Sequence, residues 1–492
     1  ALSAPFIVAI ISITLVRTGT FARLFTFHDN SDVFIEPCTV KPIFQRLHIK
    51  KAVGPDGISG RLLKTCASQL CGVFSGLFTW SLKDCCVPSL WKKSIINPAP
   101  KNRKPTSLKD YRPIALTPIV MKCFERIVLK QIMSYTSHCQ DPYQFAYRPN
   151  RSTNDATLTL LHHAYSHLEK PNSFVRILFV DFSSAFNTIQ PLLMAQKLQS
   201  YNISPKLILW IISFLVNRTQ CVRFQQTLSS VQNTSTGAPQ GTVLSPVLFT
   251  LYTNDCCTGT ETTPLVKYSD DSALEGLSDS DDIYFEQVKN FSSWCESNYL
   301  DFNVHKTKEM VSDFGKNPDP VPDLFINESK VERVSEYKYL GTVIDNKRSF
   351  TSNTNFVHKK CQSRIYCLQK LRNIQVSPKI LQSFYRCFIE SILALSSVCW
   401  YGSLSVKNKN VLNKIVNVCC KVVGIRQKSL NEVYESQLKQ MATGIMNDST
   451  HTLAHYYEYL PSGKRFRYPK IRTLRFKNSF LPKSIQILNN SD

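Results

Sequence analysis

The sequence predicts an α+β fold, and three observations carry that reading. Phe174 to Val180 is an aromatic and β-branched run interrupted only by Arg176, the composition of a buried strand, and it ends in Asp181. Leu265 to Leu274 reads as a hairpin whose tight turn is the pair Asp270-Asp271. From about Thr354 onward the apolar spacing becomes wholly helical.

Taken in order, the opening Ala1 to Val16 is apolar and uncharged, yet too short for a membrane helix and without the basic start of a signal peptide, so residues 1–30 receive no assignment. The chain begins with Ala and its first Met is Met121, which suggests a fragment of a longer reading frame. A helix from about Asn154 to Leu168 places Leu160, Leu161, Ala164 and Leu168 on one face. Another, from about Asp282 to Tyr299, does the same with Tyr284, Val288, Phe291 and Cys295. Both are expected to back the strands. Gly315 to Asp323, rich in Pro and Asp, reads as a linker. In the helical part Val357, Cys361, Ile365 and Leu368 form one stripe, and Leu412, Ile415, Cys419 and Val422 form a second that Gly424 ends.

The strand and the hairpin give the acids their meaning. A strand end aims Asp181 from rigid backbone, and with the hairpin beside it three carboxylates converge. Acids so placed repel one another, which raises a pKa unless cations neutralise them, and hard oxygen ligands suit Mg²⁺. Two Mg²⁺ ions about 4 Å apart can hold both the attacking and the leaving oxygen of an in-line phosphoryl transfer. An isolated Asp-Asp is ordinarily a solvated turn, but the apolar contexts weigh against that here.

Between the acids runs Gly237-Ala238-Pro239-Gln240-Gly241-Thr242-Val243-Leu244-Ser245-Pro246, followed by an apolar helical stretch to Asp255. In this order Asp181, the Pro-Gln-Gly loop and Tyr268-Ser269-Asp270-Asp271 resemble motifs A, B and C of reverse transcriptases, and the surrounding wording resembles the non-LTR, LINE-type, jockey-like retrotransposon branch. Upstream, the stretches from Lys51 to Ile58 and from Asp110 to Leu116 are similar to the fingers motifs of that family, and Gln144-Phe145-Ala146-Tyr147-Arg148 with Ser152 and Thr153 to the next one. Downstream, Asn303 to Lys308 resembles motif D and Glu336 to Gly341 motif E. The resemblance runs from about Ser31 to the C-terminus. Ser269 departs from the Ala more common in the branch.

The resemblance implies a right-hand polymerase: fingers, an antiparallel palm sheet backed by helices, and a helical thumb. It divides the chain into 31–350 for fingers and palm, 351–425 for the thumb and 426–492 for a basic C-terminal extension. It implies catalysis by Asp181, Asp270 and Asp271, which with the Phe182 carbonyl would hold two Mg²⁺ ions, Mn²⁺ being a substitute. Lys306 would donate a proton to the departing pyrophosphate. Lys101 and Arg112 would hold the triphosphate. Phe186 would lie against the sugar and exclude a 2′-hydroxyl, its alternative being ordinary core packing. Gln240 and Gly241 would line the nascent base pair, Arg148 would meet primer or template, and Tyr339, Leu340 and Gly341 would grip the primer end. The implied activity is RNA-directed DNA polymerase, a nucleotidyltransferase that extends a DNA primer on an RNA template with dNTPs. The alternative is an inactive or host-adopted nucleic-acid-binding remnant, whereas a metal-dependent nuclease has no use for the Pro-Gln-Gly loop.

Composition agrees. The 492 residues include 59 Lys and Arg against 36 Asp and Glu, a formal charge of +23 that suits a duplex of phosphates. Lys464, Arg465, Arg467, Lys470, Arg472, Arg475, Lys477 and Lys483 are interleaved with Phe466, Tyr468, Phe476 and Phe480. That pattern reads either as an arm that stacks on bases or as a basic surface whose aromatics pack on the thumb. An RNA–DNA hybrid is expected along thumb and tail. Seventeen Cys, with neighbours such as Cys85-Cys86 and no Cys-x-x-Cys pair, point to a reduced intracellular compartment, the nucleus being expected and a cytoplasmic ribonucleoprotein the alternative. No membrane partner is expected, and oligomeric state stays open.

Overall fold

The computed structural model describes residues 34–258, 260, 262–277, 280–315 and 321–490. The apolar opening segment and residues 316–320 of the expected linker lie outside them.

Helices α1 (Pro37–Gln45) and α2 (Ala67–Lys83) precede the antiparallel strands β1 (Lys93–Pro100) and β2 (Tyr111–Leu116) and helix α3 (Ile119–Thr136). Helix α4 (Thr153–His167) starts at a capping box, in which Ser152 Oγ accepts from the Asn154 N–H and the Asp155 carboxylate accepts from the Ser152 N–H. Strand β3 (Phe174–Val180), helix α5 (Pro205–Leu215), strand β4 (Arg218–Phe224) and helix α6 (Ser245–Tyr252) follow. A hairpin of β5 (Leu265–Tyr268) and β6 (Asp271–Gly276) leads to helix α7 (Asp281–Ser297), strand β7 (Lys308–Asp313) and a second hairpin of β8 (Glu336–Tyr339) and β9 (Thr342–Asp345). The remainder is chiefly helical, with α8 (Thr351–Asn373), α9 (Val406–Val423), α10 (Leu430–Met446) and α11 (Phe480–Asn489). The mixed α and β composition matches the expected class. No described helix is long and apolar enough to cross a membrane, and the seventeen cysteines are unpaired among the described residues.

These elements form two compact units. One takes the described part of Ala1–Asp141 with Ser183–Asp255 and Cys295–Asp301. Its sheet runs β2, β1, β4, with β1 parallel to β4. Its core is aromatic: Phe78 stacks on Phe124 at 4.4 Å, and Trp210 meets Phe124 edge-on at 4.9 Å.

The other unit, Pro142–Phe182, Cys256–Trp294 and Phe302–Asp492, is built on a sheet ordered Glu332–Arg333, β7, β3, β6, β5. Strand β3 is central and antiparallel to both neighbours, which explains a run that is apolar on both faces: Val175, Ile177, Leu178, Phe179 and Val180 are all buried. Arg176 is buried with them. It is tolerated because its guanidinium pairs with Asp281 at 2.6 Å and Glu309 at 2.8 Å, donates to the Pro322 carbonyl, and lies over the rings of Tyr284 and Phe285.

The expected helical stripes are buried as read in α4, α7 and α8. In α9 the fourth buried position is Val423 rather than Val422, because the stripe continues from Ile415 and Cys419 at a spacing of four and leaves Val422 at its edge. Gly424, at φ +76°, ends the helix. In the tail, Phe466, Phe476 and Phe480 are core residues, so of the expected aromatics only Tyr468 is exposed. They are held there because the chain after α10 returns to α4: Arg151 meets Asp448 at 2.5 Å, His451 Nε2 meets Asp155 at 2.9 Å, and the Glu169 carboxylate accepts from Arg472 and Thr473. Of the two readings left open for the tail, burial of these rings favours the packed one, with a basic outer surface, although they pack beside α4.

Candidate active site

Strands β3 and β6 pair with Val180 opposite Ser272, so the next residues outward, Asp181 and Asp271, stand side by side at the end of the sheet. Strand β5 closes on β6 with Tyr268 opposite Asp271. The two-residue turn is therefore Ser269-Asp270, one position earlier than expected. A hairpin turn of this length needs a left-handed first residue, and Ser269 supplies it at φ +62° at a cost of about 1 kcal/mol. Asp271 becomes the first residue of a strand and Asp270 stays in the turn beside it.

Asp181 is fixed through its backbone. Its N–H donates to Thr307 Oγ1 at 3.2 Å, its carbonyl accepts from the Asn303 N–H at 2.9 Å, and Phe182 bridges to Phe302. Lys306, from the same segment, sets its Nζ 3.5 Å from Asp181 Oδ2 while remaining 65% exposed. One short segment thus frames the acid and brings an ammonium to it.

Although the Asp271 side chain opens to solvent, burial first, and then the charges of Asp270 and Asp181, push it up to about 6. Asp181 Oδ2 is sequestered without a hydrogen-bond partner among the described residues. The neighbouring acids around Asp271 fit a divalent cation, although the Lys306 ammonium already lies 3.5 Å from Asp181 Oδ2. Among the described residues no three His, Cys, Asp or Glu side chains are gathered into a metal-holding group. The expected convergence of three carboxylates is thus met only in part: Asp181 and Asp271 adjoin at paired strand ends, and Asp270 stays in the turn.

Beside the acids, Tyr337 of β8 stacks on Phe179 at 4.1 Å, and burial, then Asp271 and Asp181, push its phenol up to about 12. Tyr339 is buried against Phe179 as well. The β8–β9 turn is Leu340-Gly341, at φ +44° and +96°, so glycine is required at its second position while Leu340 carries strain. Arg148 donates to the Gln144 carbonyl at 3.2 Å.

These nine expected residues lie in the β3 unit, and the other five, Lys101, Arg112, Phe186, Gln240 and Gly241, in the first unit. There Arg112 pairs with Ala99 in β1, and the Lys101 N–H closes the connecting loop on the Asp110 carbonyl at 2.7 Å. The Pro-Gln-Gly loop docks on β2, because the Ala115 N–H donates to the Gln240 carbonyl at 2.9 Å and a Cβ on Gly241 would come within 2.9 Å of the Ala115 carbonyl. Phe186 accepts from the Ala238 N–H at 2.7 Å, with its ring 4.9 Å from Phe249. Arg112, Phe186, Gln240 and Gly241 are thus joined through one loop.

Two buried polar residues at these sites escaped the sequence reading. Glu125 Oε2 accepts from the N–H groups of Val243 and Leu244 at the start of α6, and burial pushes it up to about 7. Its signal was its place on the α3 stripe with Met121, Val128 and Ile132. Arg218 donates to the carbonyls of Leu215, Thr236 and Gly237 and so ties down the loop entrance. Gln144, read from the sequence only as the first residue of a family motif, is buried as well, and its amide oxygen accepts from the Ser269 N–H.

Residues 99–344, half of the chain, match the family described as Reverse transcriptase (RNA-dependent DNA polymerase). Residues 350–391 match a second family, described as Alkylated DNA repair protein alkB homolog 8, N-terminal. The "RNA-directed DNA polymerase from mobile element jockey" of Drosophila melanogaster is 26% identical over 76% of this chain and 42% of its own length. The "Probable RNA-directed DNA polymerase from transposon X-element" of the same organism is 27% identical over 67% of this chain and 37% of its own length. The "Retrovirus-related Pol polyprotein from type-1 retrotransposable element R1" of Bradysia coprophila is 21% identical over 84% and 43%. The chain spans about two fifths of the length of these curated relatives.

Proposed function

The chain belongs to the reverse transcriptase (RNA-dependent DNA polymerase) family, and from that premise we propose that it is the RNA-directed DNA polymerase of a jockey-like non-LTR retrotransposon, extending a DNA 3′-hydroxyl on an RNA template with dNTPs. The observation that carries this reading is the meeting of Asp181 and Asp271 at paired strand ends with Asp270 in the adjoining turn. In this reading residues 31–350 carry fingers and palm, 351–425 the thumb and 426–492 a basic extension. Helices α8 and α9, with five and four Lys and Arg and no acidic residue, would lie along the RNA–DNA hybrid.

Asp181, Asp270 and Asp271, with the Phe182 carbonyl, would hold two Mg²⁺ ions, Mn²⁺ substituting, whose charge would stabilise the attacking 3′-oxygen and the leaving pyrophosphate. The remaining residues bind and orient. Lys101 and Arg112 hold the triphosphate, Phe186 meets the sugar, Gln240 and Gly241 line the base pair, and Arg148 meets primer or template. Tyr339, Leu340 and Gly341 grip the primer end. Lys306, already at Asp181, delivers a proton to the departing pyrophosphate. Such a protein acts inside the cell, at nuclear DNA.

Primer extension on an RNA template with dNTPs and Mg²⁺ tests the reading, comparing the parent with a variant carrying Asp270→Asn and Asp271→Asn. Extension by the parent alone, with equal duplex binding by both, supports it. Binding by both without extension by either favours the nucleic-acid-binding remnant instead.

A further inference from the structure

Gln144 is 2% exposed and lies 125 positions before the turn that bears Asp270. Its Oε1 accepts two backbone N–H groups, that of Ala146 at 3.0 Å and that of Ser269 at 3.1 Å. Two N–H donors converging on one atom identify that atom as the amide oxygen. The main chain around Gln144 reinforces the contact: the Phe145 N–H donates to the Lys267 carbonyl, and the Lys267 N–H to the Tyr143 carbonyl, both at 2.9 Å. The segment therefore runs as a further edge along β5, and the Gln144 side chain reaches past the end of that strand to the turn. Ser269 has no anchor of its own, since its Oγ is buried without a hydrogen-bond partner among the described residues. Lacking the amide oxygen, its N–H would lose this partner, and the left-handed serine would be held only by the Tyr268–Asp271 pairing that closes the turn.

We infer that Gln144 is the positioning residue of this turn: its amide oxygen fixes Ser269 and thereby sets where Asp270 and Asp271 present their carboxylates to divalent cations. The inference takes its meaning from the polymerase reading, but its test does not need turnover. Groups that orient metal ligands characteristically change metal affinity 10- to 100-fold when removed, roughly the effect to be sought here.

The experiment measures Mn²⁺ binding to the full chain by electron paramagnetic resonance, beside primer-extension kinetics. Gln144→Met keeps the length and removes the acceptor, Gln144→Asn keeps the amide but shortens it, and Gln144→Glu keeps an acceptor oxygen at full length. The first two should weaken Mn²⁺ binding by about tenfold or more, and lower kcat with the dNTP KM little changed, whereas Gln144→Glu should stay within about threefold of the parent. Should circular dichroism find Gln144→Met unfolded, Gln144→Asn decides. Parent-like Mn²⁺ binding by the folded Met or Asn variant overturns the inference, as does a parent that binds no Mn²⁺, or a Glu variant as weak as the Met one. A parent that binds Mn²⁺ with the expected dependence on Gln144, yet extends no primer, removes the polymerase reading and leaves the positioning role standing.

Discussion

Replacing Glu125 by Gln should make the stability of this chain less sensitive to pH between about 4.5 and 7. The Glu125 carboxylate is fully buried in α3, and burial outweighs its two backbone hydrogen bonds, so it titrates near 7 instead of 4.5. A carboxyl whose pKa is higher in the folded state holds its proton more tightly there, and ionisation then favours unfolding. The penalty is absent below the unfolded value, grows as pH rises towards 7, and is constant above that. At 1.36 kcal/mol per unit it reaches about 3 kcal/mol. Glu125→Gln keeps the shape and one acceptor oxygen but cannot ionise. Each kcal/mol displaces the melting transition of a unit of 150 to 250 residues by about 2–4 °C, so the variant should gain about 6–12 °C on the parent between pH 4.5 and 8. Scanning calorimetry at several pH values reads the difference between the two profiles, and a constant offset from the amide drops out. Parallel profiles, or a variant that gains towards acid, would refute the reasoning.

Asp181→Asn should abolish extension, by about 10³-fold or more, while leaving the melting temperature at pH 8 equal or higher, because it removes one of the charges that raise Asp271. Millimolar Mg²⁺ should raise the melting temperature of the parent and not of this variant, in the same calorimetric scans. Arg176→Met leaves buried Glu309 with Arg333, at 3.1 Å, as its remaining ion-pair partner among the described residues, and should cost about 3 kcal/mol, the lower end for a broken buried pair, in urea denaturation. Phe186→Ala should raise incorporation of ribonucleotides relative to deoxynucleotides by about tenfold, measured by competing extension, while an unchanged ratio would leave the ring as a packing element against Phe249.

Strand β3 is legible in the sequence because a central antiparallel strand covered on both faces needs an unbroken apolar run, and Phe174–Val180 supplies one. The acids follow from that run and from the order of the motifs around it. The turn position is not legible, because Ser and Asp both tolerate turn geometry and only the pairing of Tyr268 with Asp271 separates the two registers. The motif that begins at Gln144 is legible, but the contact of its amide with Ser269 is not, since that partner is 125 positions away. Alternating aromatic and basic residues in the tail are equally consistent with a stacking arm and with a packed strap. Long-range contacts to Asp155 and Glu169 decide between them.

The contacts that tie the strap to α4 join residues 296 and 297 positions apart. A ribosome adding about 5–20 residues per second takes about 15–60 s to cover that distance. Throughout that interval Asp155 lacks His451, Glu169 lacks Thr473, and the core beside α4 lacks Phe466, Phe476 and Phe480. Asp181, Asp270 and Asp271 are all translated long before this. A product terminated before the strap would therefore contain every residue of the carboxylate site and still be unable to finish the unit that holds it, so that completion of this unit waits on translation through α11.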